Sequence, residues 1–565
     1  MADKSCDLLV IGTGAAAMSA ALTAAVAGLK VIMVEKEATF GGASARSGGC
    51  PWIPLSSHAR RGGARDSREA ALTFFREEAG DRADQAVVEA FVDNAASAID
   101  FLEANSELRF QWLKGAPDYH CDTPGGSVEG RVLAPVAWDG RGLGTELTRL
   151  RPQNRYSTFL GMQIGADEVG LYLTAGRKLS SFAFVFRRIL GLMKDRLTAG
   201  RSLRLTSGNA LIGPLAAAAF ARGVELWTRT PARSLAIEGK KVVGAYVETA
   251  EGTVRVLASR GVVLATGGFP HDGLRRGQLF PTGAYSPEVW GMFPHGNSGD
   301  GIRMAEAAGA QFNDRMASPI ALTPITRLNS AEGVLETMPC FLNRGVPGMI
   351  AVTRDGRRFT NEARSYHDFG VDLLRKCAGE PEAVGWLVFD HRYMRRLGNG
   401  PARPAPVPYR KWIRNGSISR GATLEELADA AGIDRAGLVE TVTRYNAFAG
   451  KGTDPEFRRG SNAFDIAGGD PDHKPNPCVG PLDKAPFYAI RVFAGCVGTF
   501  AGIRTDRHAR ALDGSGEPIE GLYVVGNDMA SITGGDYIAG GCTIGPGLTF
   551  GHLAARHAIG GGDAA

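Results

Sequence analysis

The chain has 565 residues, 44% hydrophobic and 22% charged, the balance of an ordinary soluble globular protein long enough for two or more domains. A formal net charge of +5, spread along the chain, gives no argument for a nucleic-acid partner. Eight cysteines lie far apart with no CxxC and no metal-ligand spacing, so free thiols and no metal are expected. The opening MADKSCD lacks a signal-type apolar region, and a cytoplasmic protein without a transmembrane segment is expected.

The first legible element is Asp7 to Lys36. DLLVI is a short apolar run of buried-strand type, and Gly12-Thr13-Gly14 follows. A small-residue helical run from Met18 to Ala27 comes next; Gly28 ends it, and VIMV closes a second strand on Glu35. This is a βαβ unit with the dinucleotide-binding fingerprint, in which Ala17 replaces the third glycine. Gly12 permits the tight turn, and Gly14 lets a pyrophosphate approach the backbone. The helix start at Ala15 and Ala16 offers amides and partial positive charge. Glu35 stands where a carboxylate accepts hydrogen bonds from ribose hydroxyls.

A second glycine cluster follows at once in Gly41-Gly42-Ala43-Ser44-Ala45-Arg46-Ser47-Gly48-Gly49. Its amides and hydroxyls can wrap a second portion of a long cofactor. Helices are predicted over Arg68 to Ala79 and Gln85 to Ala104, and near 166–175, 180–196 and 210–221. The segment SSFAFVFRRILGLMK is interrupted by Arg187 and Arg188; its spacing fits an amphipathic surface helix rather than a span. GVELWT, ARSLAIEG and VVGAYVET read as strands, and VRVLA leads into GVVLATGGF, whose Ala265-Thr266-Gly267-Gly268 places a third glycine pair near the first. MIAVTRDGRRFTNEA (349–363) reads as strand, Asp-Gly turn and strand. The texture of the first domain resumes in GLYVVGN and in the helix start IGPGLTFGHLA.

With VIGTGAAA, Glu35-Lys36, FGGASARSGG, LATGGF, GLYVVGN and GCTIGPGLTFGHLA in order, the chain resembles the fumarate reductase/succinate dehydrogenase flavoprotein superfamily. Within it, the sequence is most similar to 3-ketosteroid 1-dehydrogenases and related flavin-dependent ketone desaturases. The resemblance implies an α/β fold. A Rossmann-like FAD-binding domain (1–282 and 487–565) carries an inserted α+β substrate domain (283–486). It also implies non-covalent FAD and the desaturation of a cyclic ketone by α-proton removal and β-hydride transfer to the flavin N5, with an electron acceptor the sequence leaves unknown. The cofactor set expected from fingerprint and resemblance is Gly12, Gly14, Ala15, Ala16, Ala17, Glu35, Lys36, Gly41, Gly42, Ala43, Ser44, Ser47, Gly48, Gly49, Ala232, Ala265, Thr266, Gly267, Gly268, Asn527, Gly545 and Leu548.

Carried over from the family, Tyr537 and Gly541 polarise the ketone oxygen, and Tyr119 or His120 assists proton removal. The family's tyrosine shortly before an R-x-x-P-G element is missing, since Arg344-Gly345-Val346-Pro347-Gly348 follows ETMPCFLN. Tyr156, Tyr172, Tyr366 or His120 is left as the base, or the substrate is not a steroid. The alternative function is a C=C reductase of the fumarate reductase type. That chemistry calls for carboxylate-clamping arginines, and none occurs from Gly526 through His552.

Overall fold

The computed structural model describes residues 3–154, 158–165, 168–176, 178–279, 294–329, 335–340 and 343–560. Its first strand, β1 (Lys4–Ile11), is followed by helix α1 (Ala15–Val26) and strand β2 (Val31–Glu35). The helix begins three residues earlier than its sequence pattern suggests. Leu8, Leu9 and Val10 are completely buried, as the apolar run requires. Gly12 sits at φ +109°, and a Cβ there would lie 2.2 Å from the carbonyl oxygen of Ala265, so the first turn passes directly under the strand that ends in ATGG. Only glycine allows both the backbone angle and the approach.

That neighbouring strand, Gly252–Leu264, runs parallel to β1, and β2 lies on the other side of β1. The sheet continues outward through Glu225–Thr228 beside β2, and through the meander Lys241–Thr249 and Ala232–Glu238. VRVLA and GVVLA therefore belong to one continuous strand. Pro518–Val524 joins the same sheet parallel to Val262–Leu264, which returns the C-terminal part of the chain to the first domain.

The final helix, Ile544–Ile559, packs along α1. The Ser19 hydroxyl donates to the Leu548 carbonyl at 2.6 Å, and the Thr23 hydroxyl bonds with His552 Nδ1 at 3.0 Å. A Cβ on Gly551 would come within 2.3 Å of the Ala16 carbonyl oxygen. Small residues on both helices thus let their backbones nearly touch, and enlarging one would cost about 1–3 kcal/mol through overpacking.

The second sheet is antiparallel. Its strand order is Leu335–Pro339, Ile320–Asn329, Phe487–Thr499, Val384–Phe389, Met349–Thr353, with Ser419–Gly421 also pairing with Phe487–Thr499. Here the expected boundary at 487 is corrected: Phe487–Thr499 belongs to the second sheet and is its middle strand. Its apolar pattern is that of a buried strand in either sheet, so the sequence alone did not assign it. The expected boundary at 283 lies outside the described residues.

The expected hairpin over 349–363 is also corrected. Met349–Thr353 is a strand, but beyond the turn only one isolated bridge forms, Val352 with Arg358. Arg358 turns inward to Glu362 at 2.7 Å and Asp454 at 2.8 Å, all three buried, and Arg459 reaches Glu362 at 3.2 Å. Removing one partner of such a buried network typically costs about 3–5 kcal/mol. Those ion pairs hold the segment in a turn where β pairing would splay them.

Candidate active site

The glycine clusters that are distant in sequence converge on one cleft. A Cβ on Gly14 would meet only the Ser44 hydroxyl at 3.4 Å, and one on Gly42 would stand 3.7 Å from the Gly14 Cα. The Ser44 hydroxyl accepts from the Ala15 amide at 3.0 Å; the next amides of α1 have no helical partner. Thr13 ties the wall together, donating to the Glu35 carboxylate while accepting from the Gly41 amide at 3.0 Å. Glu35 is buried, and that burial raises its pKa.

Ser47 and Gly49 close the second loop, the hydroxyl accepting from the Gly49 amide at 2.9 Å, with Gly48 exposed between them. Ala232 lies just beyond Thr230, whose amide donates to the Glu35 carbonyl at 2.9 Å. Ala43 packs against the core of the first domain. The Lys36 ammonium donates to the Ser298 hydroxyl at 2.8 Å and pairs with Asp300.

The ATGG turn is held by a residue the sequence reading passed over. Asp528, fully buried, accepts from the Thr266 amide, from the Thr266 hydroxyl at 2.9 Å and from the Gly268 amide at 2.8 Å. Its signal was the acid in GND, beside Asn527. Gly267 at φ +91° and Gly268 at φ +77° fill the space between Asn297 and Thr499. Gly526, Asn527, Thr543 and Gly547 line a cavity at this edge, and a Cβ on Gly547 would face Ala16 at 3.6 Å and Gly526 at 3.8 Å. Gly545 touches the Trp52 carbonyl, and Leu548 is buried against α1. These paired open glycines, unbonded helix amides and buried acid fit an extended dinucleotide cofactor.

Beside the cavity three tyrosines meet. Tyr119 stacks on Tyr537 with centroids 5.9 Å apart at 16°, and Tyr366 stands edge-on to both, at 5.6 and 4.9 Å. The Tyr366 hydroxyl shares hydrogen bonds with Tyr119 and Tyr537, and all three phenols are pushed above their ordinary pKa, chiefly by burial. Tyr366 opens the helix Tyr366–Lys376, which Ser365 caps through the Asp368 amide. Tyr119 is fixed by its own amide, which donates to the Ile538 carbonyl at 2.9 Å. Its neighbour Asp118 takes Trp52 Nε1 at 2.7 Å and Arg131 at 2.9 Å.

Gly541 completes the site. Its carbonyl accepts from the amides of Trp52, Ile544 and Gly545 at 3.2, 3.0 and 3.0 Å. Its φ of +89° and a Cβ position 2.0 Å from the Cys50 carbonyl oxygen exclude any side chain. The Gly541 amide itself donates to no group among the described residues.

The structure separates the tyrosine alternatives. Tyr366 is in the cluster; Tyr172 makes its ring contacts with Phe159 and Phe184 instead; Tyr156 lies outside the described residues. His120 lies between two carboxylates. Its Nδ1 faces Glu78 at 2.6 Å and its Nε2 faces Asp368 at 3.1 Å. Burial alone would lower its pKa, yet the two carboxylates prevail and raise it to about 11, which favours the imidazolium. His367 is the opposite case: its Nδ1 accepts from the Leu322 amide at 3.0 Å and burial brings its pKa to about 4. Arg344 is entirely buried beneath the cluster over Phe369 at 5.0 Å, donating to the Glu362 and Arg364 carbonyls. Its field lowers the Tyr119 pKa against the larger effect of burial.

A dinucleotide cleft opening onto a buried phenol cluster defines a flavin-dependent oxidoreductase. The chain belongs to the FAD binding domain family, which matches residues 7–544, and it binds FAD. It is 38% identical over 559 residues, 98% of this chain and 93% of the relative, to 4-oxocyclohex-2-ene-1-carboxylate 5-dehydrogenase of Sinomonas cyclohexanicum. Identity to 3-oxosteroid 1-dehydrogenase of Mycobacterium tuberculosis is 35%, covering 98% of each chain. The crystal structure of 3-ketosteroid delta1-dehydrogenase from Sterolibacterium denitrificans, in complex with 1,4-androstadiene-3,17-dione, matches with a TM-score of 0.91 at 35% identity, over 99% of this chain and 100% of that one. Among the described residues no helix is long and apolar enough to cross a membrane.

Proposed function

We propose that this enzyme removes two hydrogens from adjacent carbons of a cyclic ketone, either a 3-ketosteroid or a smaller oxocyclohexane. The observation that carries the reading is the Gly541 peptide. Its carbonyl is saturated by three donors while its amide, four residues from the Tyr537 phenol, has no partner among the described residues. Two fixed donors, one phenol and one amide, are what an enolate oxygen requires as charge develops on it. The names of the similar dehydrogenases support the ketone class, and the arginine-free stretch from Gly526 to His552 opposes a dicarboxylate.

In this reading Tyr537 and Gly541 hold the ketone oxygen, and Tyr366 takes the α proton. Tyr119, a phenol whose anion Arg344 favours, serves as the phenolate end of the relay and takes the Tyr366 proton along their hydrogen bond as Tyr366 receives the α proton. His120, charged and clamped, positions Asp368 and hence the start of the Tyr366 helix. Bound FAD supplies the acceptor for the β hydrogen. The apolar walls, Phe500 at 6.0 Å from Tyr537 and Phe464 at 4.7 Å from Tyr119, exclude water from the enolate.

The test is anaerobic flavin bleaching against 3-ketosteroids, 4-oxocyclohexanecarboxylate, cyclohexanone and succinate. At least one ketone is expected to bleach the flavin while succinate does not. Reduction by succinate alone would transfer the assignment to the dicarboxylate class.

A further inference from the structure

The helix Leu179–Ala199 is seated on the protein by Ser181, Val185 and Leu192, its buried positions. A different face points outward, formed by Leu179, Phe182, Phe186, Leu190, Met193 and Leu197, all between 51 and 88% exposed. Their spacings of three and four place all six on one stripe, about 80° wide at roughly 100° per residue. Large apolar side chains exposed elsewhere, such as Val128 and Leu274, are the scattered kind that needs no explanation. Six on one helix face mark an interaction surface.

Charge decides what covers it. Arg187 and Lys194 are exposed along one flank of the stripe, Lys178 and Arg196 along the other. The helix has a single acid, Asp195, and that carboxylate already accepts from the Leu203 amide at 2.9 Å. A second copy docked on this face would set cations against cations with no carboxylate to answer them. A bilayer surface bearing anionic headgroups answers both features, since the apolar row reaches the acyl boundary while the flanking cations stay among the phosphates.

We infer that this helix is an interfacial anchor that lays the enzyme on an anionic membrane surface. The charges at Arg187 and Arg188 interrupt the apolar run, which is why the helix lies on the bilayer and does not cross it.

The experiment is vesicle flotation of the full-length, FAD-loaded protein. Mixed phosphatidylglycerol–phosphatidylcholine vesicles are compared with phosphatidylcholine alone, at low and high salt. The protein is expected to float with the anionic vesicles, and less so at high salt. Replacing Phe182, Phe186 and Leu190 together by Ser is expected to abolish flotation, with the flavin absorbance unchanged as the check on folding. The milder Arg187→Gln/Lys194→Gln pair keeps the apolar row, and should weaken binding about fivefold per cation, since each is worth about 1 kcal/mol near such a surface. Flotation that is absent, or that persists undiminished in the triple-Ser variant, would overturn the inference. A concentration-dependent dimer in light scattering that the triple-Ser variant dissolves, without vesicle binding, would assign the face to a second copy instead.

Discussion

Tyr119 and Tyr537 stack nearly parallel, 5.9 Å between centroids, because the Tyr119 amide is tethered to the carbonyl of Ile538, the residue after Tyr537. Two loops more than four hundred residues apart in the chain are thus locked at the backbone before any side chain acts. If the Tyr537 hydroxyl stabilises the developing enolate, Tyr537→Phe lowers the flavin-reduction rate about a hundred- to thousandfold, the equivalent of about 2.7–4 kcal/mol. Ketone binding changes much less, because the ground-state oxygen is neutral. Rapid-mixing bleaching measures both; a rate within about threefold of wild type, well short of that magnitude, would remove Tyr537 from the mechanism.

Tyr366 bridges the pair, so its loss is expected to act differently. Tyr366→Phe keeps the ring contacts with Tyr119 and Tyr537 but cuts the proton route. A general base contributes about 10²–10⁴-fold, and the α-deuterium isotope effect on flavin reduction should grow as proton removal becomes limiting. An unchanged rate and isotope effect would return the base to another residue.

The cofactor cradle gives a prediction independent of the chemistry. Gly14 has room for a Cβ, with only Ser44 at 3.4 Å, so a larger side chain there is tolerated by the fold and projects into the cleft. Gly14→Val is expected to yield a folded, colourless protein that takes up no added FAD, whereas the wild type is yellow and releases its flavin on denaturation. Flavin that stays with the denatured wild-type chain would show a covalent link.

Much of this cleft could be read from residue order. Strand, Gly12-Thr13-Gly14, helix and Glu35 follow a local periodic rule, and each lies where that rule puts it. The tyrosine site was half legible. Tyr537 and Gly541 stood in an intact Tyr-x-x-x-Gly, but Tyr366 was one of several unranked tyrosines, since nothing local says that its helix start meets Tyr119. The surroundings of His120 were hidden for the same reason: Glu78 and Asp368 are brought to its two nitrogens from other segments. The boundary expected at 487 and the place of Phe487–Thr499 in the second sheet differ because an apolar pattern does not specify a partner strand.

That histidine carries the last prediction. The two carboxylates hold the His120 proton to about pH 11, against an ordinary 6.5. A group whose pKa is raised on folding contributes its full stability below the unfolded value and loses it as pH rises through the folded one. The stability contributed by the imidazolium is therefore complete near pH 6 and declines steadily towards pH 11. His120→Gln removes the cation and leaves Glu78 and Asp368 facing a neutral amide. The variant is expected to melt well below wild type at pH 6, with the gap narrowing as pH is raised to 10. Nitrogen NMR of labelled histidine supplies a readout that packing alone would not move: both His120 nitrogens should be protonated at pH 8. A neutral ring at pH 8, or a melting gap that does not change with pH, would free His120 from the clamp and restore it as a candidate base.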